Sequence, residues 1–214
     1  MRNAAGTSAT RGARRAFSGG IGGDSQIRTP FGPKRAEMVR PGDLIVTRDN
    51  GLQPVRMIWS RRLTRADMEA GAGRAPVRLK PRAIGPMMPV RDLLVASDHR
   101  VLVPGYRLSV GSDSQACLMA AADLAGASDS AYLDRSTAGV DLYTFIFDTH
   151  QIFTASGLPV ECFLPNSSTM ATLTGKLRKE LVSLFPVLRK DPEAYPAAGF
   201  PEAPGNALRA APAA

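Results

Sequence analysis

Cysteine and histidine are scarce in this chain, with two of each in 214 residues. Cys117 and Cys162 lie far apart without a CxxC partner, which excludes a disulfide framework and a zinc knuckle and leaves them as buried free thiols. Two histidines without a nearby cysteine pair offer too few ligands for a metal site, and no motif calls for a cofactor. Aromatic residues make up only 6%, and none interleaves with a Lys/Arg run as a platform for single-stranded nucleic acid requires. No stretch approaches the roughly 18 apolar residues of a membrane helix. The N-terminus lacks the apolar core of a secretory signal. Acids are absent from the first 19 positions, where Arg2, Arg11, Arg14 and Arg15 supply half of the net charge of +8. The excess charge is therefore largely a property of a solvated tail, and nucleic acid is not the expected partner.

What is present points to strands. Hydrophobic residues make up 44% of a chain that also holds 20 Gly and 17 Pro, the composition of many short strands joined by turns. Residues 1–19 read as a flexible basic tail, and Gly19, Gly20, Gly22 and Gly23 lead into the first ordered strand. Asn50-Gly51 between two β-branched runs is the strongest hairpin signal, because both turn positions need a positive φ that Asn and Gly tolerate. Arg100 to Val103 and Tyr106 to Val110, joined by Pro104-Gly105, form a second hairpin candidate. Gln115 to Ala122 is ambiguous between strand and helix. Val140 to Phe147, Gln151 to Thr154 and Leu158 to Phe163 close the β region. One helix is expected, with Thr174 as its N-cap, an apolar stripe of Leu177, Leu181, Leu184 and Phe185, and Pro186 at its end. The expectation is one all-β domain over residues 20–188 with a single C-terminal amphipathic helix, followed by an Ala/Pro-rich disordered tail over residues 189–214.

The two histidines sit at strand edges. His99 follows Leu93 to Asp98, a strand and a short turn, and His150 follows Phe147-Asp148-Thr149. An imidazole so placed either donates a proton to a nearby peptide group near neutral pH or is a structural side chain bonded to a carbonyl. Arg61, Arg62 and Arg65 form a small basic cluster, which a nucleic-acid-binding surface would use but which reads as solvated charge.

Five segments in order carry a resemblance: Gly-Asp-Ser-Gln-Ile-Arg-Thr-Pro-Phe-Gly (23–32), Val-Arg-Pro-Gly-Asp-Leu-Ile-Val-Thr-Arg-Asp-Asn-Gly-Leu-Gln-Pro-Val-Arg (39–56), Ser-Asp-His-Arg-Val-Leu-Val (97–103), Phe-Asp-Thr-His-Gln-Ile-Phe-Thr-Ala-Ser-Gly-Leu-Pro-Val-Glu (147–161) and the helix ending Leu-Phe-Pro (184–186). Together they resemble the Hedgehog/intein (Hint) domain family, in its bacterial branch. The resemblance implies a horseshoe-like fold and self-processing, in which a Cys or Ser attacks the preceding carbonyl and the ester is resolved. The substrate would be the chain's own polypeptide, with a protein partner as the further possibility. His99 matches the central-block histidine and His150 opens a second His-containing block. Ser97 and Asp98 in the turn before His99, and Ser25 in the first block, complete the candidate catalytic set. Two positions depart from the pattern. The family's nucleophile falls at Gly20, and a Thr or Ser three residues before the histidine is Ala96. Ser18 and Ser25 are the nearest hydroxyls, and unaided serines are poor nucleophiles. The expectation is an inherited active-site architecture whose acyl shift is lost, with self-cleavage through Ser18 or Ser25 and His99, or a basic binding module, as the alternatives.

Overall fold

The computed structural model describes residues 19–70, 74–109, 115–197 and 199–208. Its short apolar runs form fourteen strands among those residues: β1 (Ile21–Gly22), β2 (Gln26–Thr29), β3 (Gly32–Arg35), β4 (Leu44–Val46), β5 (Leu52–Pro54), β6 (Met57–Thr64), β7 (Val77–Leu79), β8 (Leu93–Val95), β9 (Arg100–Val103), β10 (Cys117–Ala120), β11 (Ala131–Leu133), β12 (Gly139–Ile146), β13 (Ile152–Ala155) and β14 (Leu158–Glu161). Two six-stranded sheets result, in the orders β11-β7-β8-β1-β12-β6 and β10-β9-β14-β13-β2-β3, with β4-β5 as a separate ribbon. Neither sheet closes into a barrel, and the architecture is mostly β with few helices, as the sequence implies.

Local chemistry explains several joints. The loop 47–51 turns β4 back onto β5, pairing Val46 with Leu52. Gly51 takes the expected positive φ of +63°, whereas Asn50 does not, because the connection is five residues long, closed by the Thr47 N–H on Gly51 O, and not a two-residue turn. The longest ladder pairs β6 with β12, from Met57 opposite Ile146 to Gly139 opposite Thr64. Phe145, Phe147 and Phe153 stack edge-on or tilted in the main core between the sheets, where such ring pairs add to their area burial.

The two-residue strand β1 decides the position of the site. It lies between β8 and β12, with Ile21 opposite both Val95 and Tyr143. Gly20, one residue before it, is thereby delivered to the middle of the first sheet.

Among the described residues there are four short α-helices: α1 (Arg65–Glu69), α2 (Ala121–Leu124), α3 (Ser167–Thr172) and α4 (Gly175–Leu184). In α4 the Thr174 hydroxyl accepts the Leu177 N–H as the expected N-cap. The expected stripe is only partly correct. Leu181 is fully buried, Leu177 and Phe185 pack beside it, and Leu184 is 41% exposed. The ambiguous segment is a strand followed by a helical turn, β10 then α2. The second hairpin candidate forms differently: β9 pairs with β10, not with the segment after Pro104, because residues 105–107 coil into a 3-10 turn.

The C-terminal segment differs most from expectation. Sequence composition predicts disorder from residue 189 onward, whereas the residues described up to 208 pack against the domain. Tyr195 donates its hydroxyl to the Phe147 carbonyl at 2.7 Å. The Leu118 N–H donates to Pro201 O, and the Ala203 N–H to Leu118 O, which bonds the segment to β10. Phe200 packs against Leu102, Leu118 and Ile152, and Ala207 is buried. These few apolar residues find a sheet edge and a groove to bury in, which composition averaged over the segment conceals. The basic segment 1–18 lies outside the described residues.

Candidate functional site

Residues 19–20 meet the turn that carries His99. The Gly20 carbonyl accepts the Ala96 N–H at 2.9 Å, and the His99 N–H donates to Ala96 O at 3.0 Å, closing a tight turn through Ser97 and Asp98. That turn folds the imidazole back onto the chain, where the Gly20 N–H donates to His99 Nδ1 at 3.1 Å in a buried setting. An Nδ1 that accepts places the ring proton on Nε2. His99 Nε2 is itself buried, with no hydrogen-bond partner among the described residues. Burial pushes the His99 pKa down to about 4, and the Glu161 charge, which favours the protonated ring, does not offset it. The ring is therefore neutral at physiological pH, and its Nδ1 lone pair accepts the N–H of the 19–20 peptide.

Gly20 provides no attacking group, and its backbone disfavours one. Its φ is +121°, and a Cβ built there would lie 3.1 Å from Leu142 Cβ and 3.2 Å from Tyr143 O on β12. An L-residue at this position is strained by conformation and crowded by the neighbouring strand. Ala96 has no side-chain hydroxyl and contributes its backbone alone, the N–H to Gly20 O and the carbonyl to the His99 N–H.

The other candidates occupy different places. Ser97 is buried, but its Oγ donates to Ala75 O at 2.5 Å, and the residue lines a cleft of ≈730 Å³ that Arg65, Arg74 and Arg135 also border. Asp98 is exposed and pairs with Arg74 at 3.4 Å. Ser25 is 1% exposed, in the turn from β1 to β2, with its N–H on Gly22 O and its carbonyl taking the Ala36 N–H. Its Oγ has no hydrogen-bond partner among the described residues. Ser18 lies outside the described residues.

His150 belongs to a separate buried polar cluster. Its N–H donates to Pro196 O at 2.9 Å, and Nε2 lies 3.3 Å from Glu161 Oε2. Arg100 approaches the same carboxylate at 3.5 Å and holds Glu202 of the C-terminal segment at 2.9 Å. Glu161 thus pairs with His150, and its charge favours the protonated form of His99. Sequence reasoning singled out neither Glu161 nor Arg100. The signal was available in hairpin register, since a Ser156-Gly157 turn puts Ile152 opposite Glu161 and brings that carboxylate to the His150 end of the ribbon.

Cys162 is buried beside this cluster and accepts the Gln151 N–H at 3.2 Å. Burial raises its thiol pKa, which leaves it protonated and a poor nucleophile. Among the described residues no three His, Cys, Asp or Glu side chains are arranged to hold a metal ion, and no helix is long and apolar enough to cross a membrane.

The chain is similar to several solved structures. These include the MchDnaB-1 intein, 16% identical with a TM-score of 0.42, covering 65% of this chain and 98% of that one. The intein-like domain from Clostridium thermocellum is 14% identical with a TM-score of 0.46, covering 69% and 100%. The DnaB intein from Synechocystis is 16% identical with a TM-score of 0.41, covering 68% and 99%. No curated protein matches the chain. The family model for the Hint domain matches residues 22–167, the span from β1 to the start of α3 that builds both sheets and both histidine blocks, and the chain belongs to that family.

Proposed function

We propose that this Hint domain descends from self-processing modules and no longer performs the acyl shift. The shift would need a side chain of residue 20 to attack the Gly19 carbonyl. The C–N bond between residues 19 and 20 would break, with a proton delivered to the departing nitrogen. The observation that carries the reading is Gly20, which has no attacking atom and a backbone at φ +121° packed against Leu142 and Tyr143. The neutral His99 supports it further, since its Nδ1 accepts a hydrogen bond from the Gly20 N–H and is not a protonated acid facing that nitrogen. The domain then acts as a rigid module in which the former cleavage peptide is a structural junction.

Intact-mass measurement before and after incubation with hydroxylamine or a thiol tests this. The expected result is a single unchanged mass. A new fragment ending at Gly19, lost in His99→Ala, would overturn the proposal. A second reading, cleavage by a serine hydroxyl, draws support from the buried Ser25 Oγ that lacks a partner. In it the Ser25 Oγ would attack the Asp24 carbonyl and the Asp24–Ser25 C–N bond would break, the hydroxyl proton passing to the Ser25 nitrogen. It predicts a hydroxylamine-sensitive ester that Ser25→Ala abolishes.

A further inference from the structure

A groove of ≈680 Å³ runs over the outer face of β2 and β13, remote in chemistry from the histidine clusters. Strand alternation builds it: Ile27 and Ala155 point into the core, so Gln26, Arg28 and Thr154 point out. Its far wall is the loop carrying Val90 and Arg91. The turn of the β13–β14 hairpin holds this loop, because the Ser156 carbonyl accepts the Val90 N–H at 2.9 Å. Gly157 makes the close approach possible, since a Cβ there would lie 2.8 Å from a Val90 methyl at a φ of +85°. Arg91 is thus set across the groove from Arg28 by a fixed backbone contact.

The groove's charge is one-sided. Among the described residues that line it none is acidic, and two are arginines. Neither guanidinium pairs with a carboxylate among the described residues. The nearest sequence neighbour that could do so, Asp92, is held by Arg78 at 3.4 Å. Both arginines are exposed, so their charges are available to a ligand. Val90 and Pro33 add apolar surface, and Gln26 and Thr154 add hydrogen-bonding groups. An inorganic anion would fill only a small part of this volume, whereas a few residues of peptide carrying carboxylates and apolar side chains match its size and mixed lining.

We propose that this groove binds an acidic peptide segment of another polypeptide through Arg28 and Arg91. The chain's own termini do not fit. Residues 1–19 carry four arginines and no acid. At the other end Glu202 is paired with Arg100, and Glu193 accepts the Ser167 N–H. A net charge of +8 also opposes a second copy in the groove.

Fluorescence anisotropy of a labelled peptide of alternating Glu and Leu, titrated with the full chain, tests the assignment. Binding is expected for this peptide and about tenfold weaker for the matching Gln/Leu peptide. Arg28→Ala with Arg91→Ala should weaken binding about tenfold. Thr154→Trp should do the same by filling the groove without changing charge. Lys176→Ala with Lys179→Ala removes the same charge from the exposed face of α4 and should leave binding within about twofold. Equal weakening by the two charge-removing pairs would reduce the effect to net charge and overturn the proposal, as would undiminished binding by the Arg28/Arg91 variant. Full displacement by low-millimolar inorganic phosphate at constant ionic strength would overturn the peptide assignment in favour of a small anion.

Discussion

His99 receives the Gly20 N–H in a setting that keeps the ring neutral, and this makes the site a pH sensor of stability. The unfolded ring protonates with a pKa near 6.5, and the folded ring only near pH 4. Between those values the unfolded chain binds a proton that the folded chain refuses. The contribution is therefore intact above the window and lost as the pH falls through it, by an amount on the order of 3 kcal/mol. Urea midpoints measured from pH 7 down to pH 4 should fall for the natural chain. They should fall less for His99→Gln, whose amide oxygen can still accept the Gly20 N–H; equal slopes would mean that other groups carry the acid response. At the neighbouring position, Gly20→Ala should cost about 1–3 kcal/mol by forcing a Cβ into the left-handed region against β12, read as a lower melting temperature with an unchanged circular-dichroism spectrum.

Among the elements, α4 shows how far an apolar pattern can be trusted. Leu177, Leu181, Leu184 and Phe185 all lie on one side by helical spacing, yet only Leu181 is wholly enclosed, beside Phe163, Met170 and Leu188, while Leu184 remains 41% exposed. Leu181→Ala should cost about 2–5 kcal/mol as a buried deletion. Leu184→Ala should stay within about 0.5 kcal/mol, as surface changes do. Chemical denaturation of the two variants compares them directly. The β1 strand makes the opposite point. Its two residues carry almost no periodic signal, yet they hold the first sheet together by pairing with β8 and β12 at once.

For the whole molecule, the C-terminal segment is part of the fold. It covers the edge of β10, buries Tyr195 and Ala207, and reaches Glu161 through Glu202 and Arg100. Removing residues 191–214 should destabilise the domain by at least about 3 kcal/mol, the figure for losing one buried aromatic. It should also expose an unpaired strand edge. A drop in the urea midpoint together with concentration-dependent self-association would show both effects, and a truncated chain as stable as the full one would contradict the packing described.

The β character, the β4–β5 hairpin, the Thr174 cap and the lack of a side chain at Gly20 were legible in the sequence, because turn chemistry, capping and the absence of a side chain are properties of a residue and its immediate neighbours. The family was legible too, in the order of five short segments. Tertiary structure alone decided which groups converge. His99 reaches Gly20 from 79 positions away, while Ser97 and Asp98, its neighbours in sequence, are turned toward Ala75 and Arg74. Glu161 acquires its place beside His150 from hairpin register. The neutral state of His99 comes from burial, a sum over many distant residues that no local pattern records. The same holds for the C-terminal segment, whose composition suggests disorder but whose few apolar side chains are ordered by the surface that the rest of the chain presents to them.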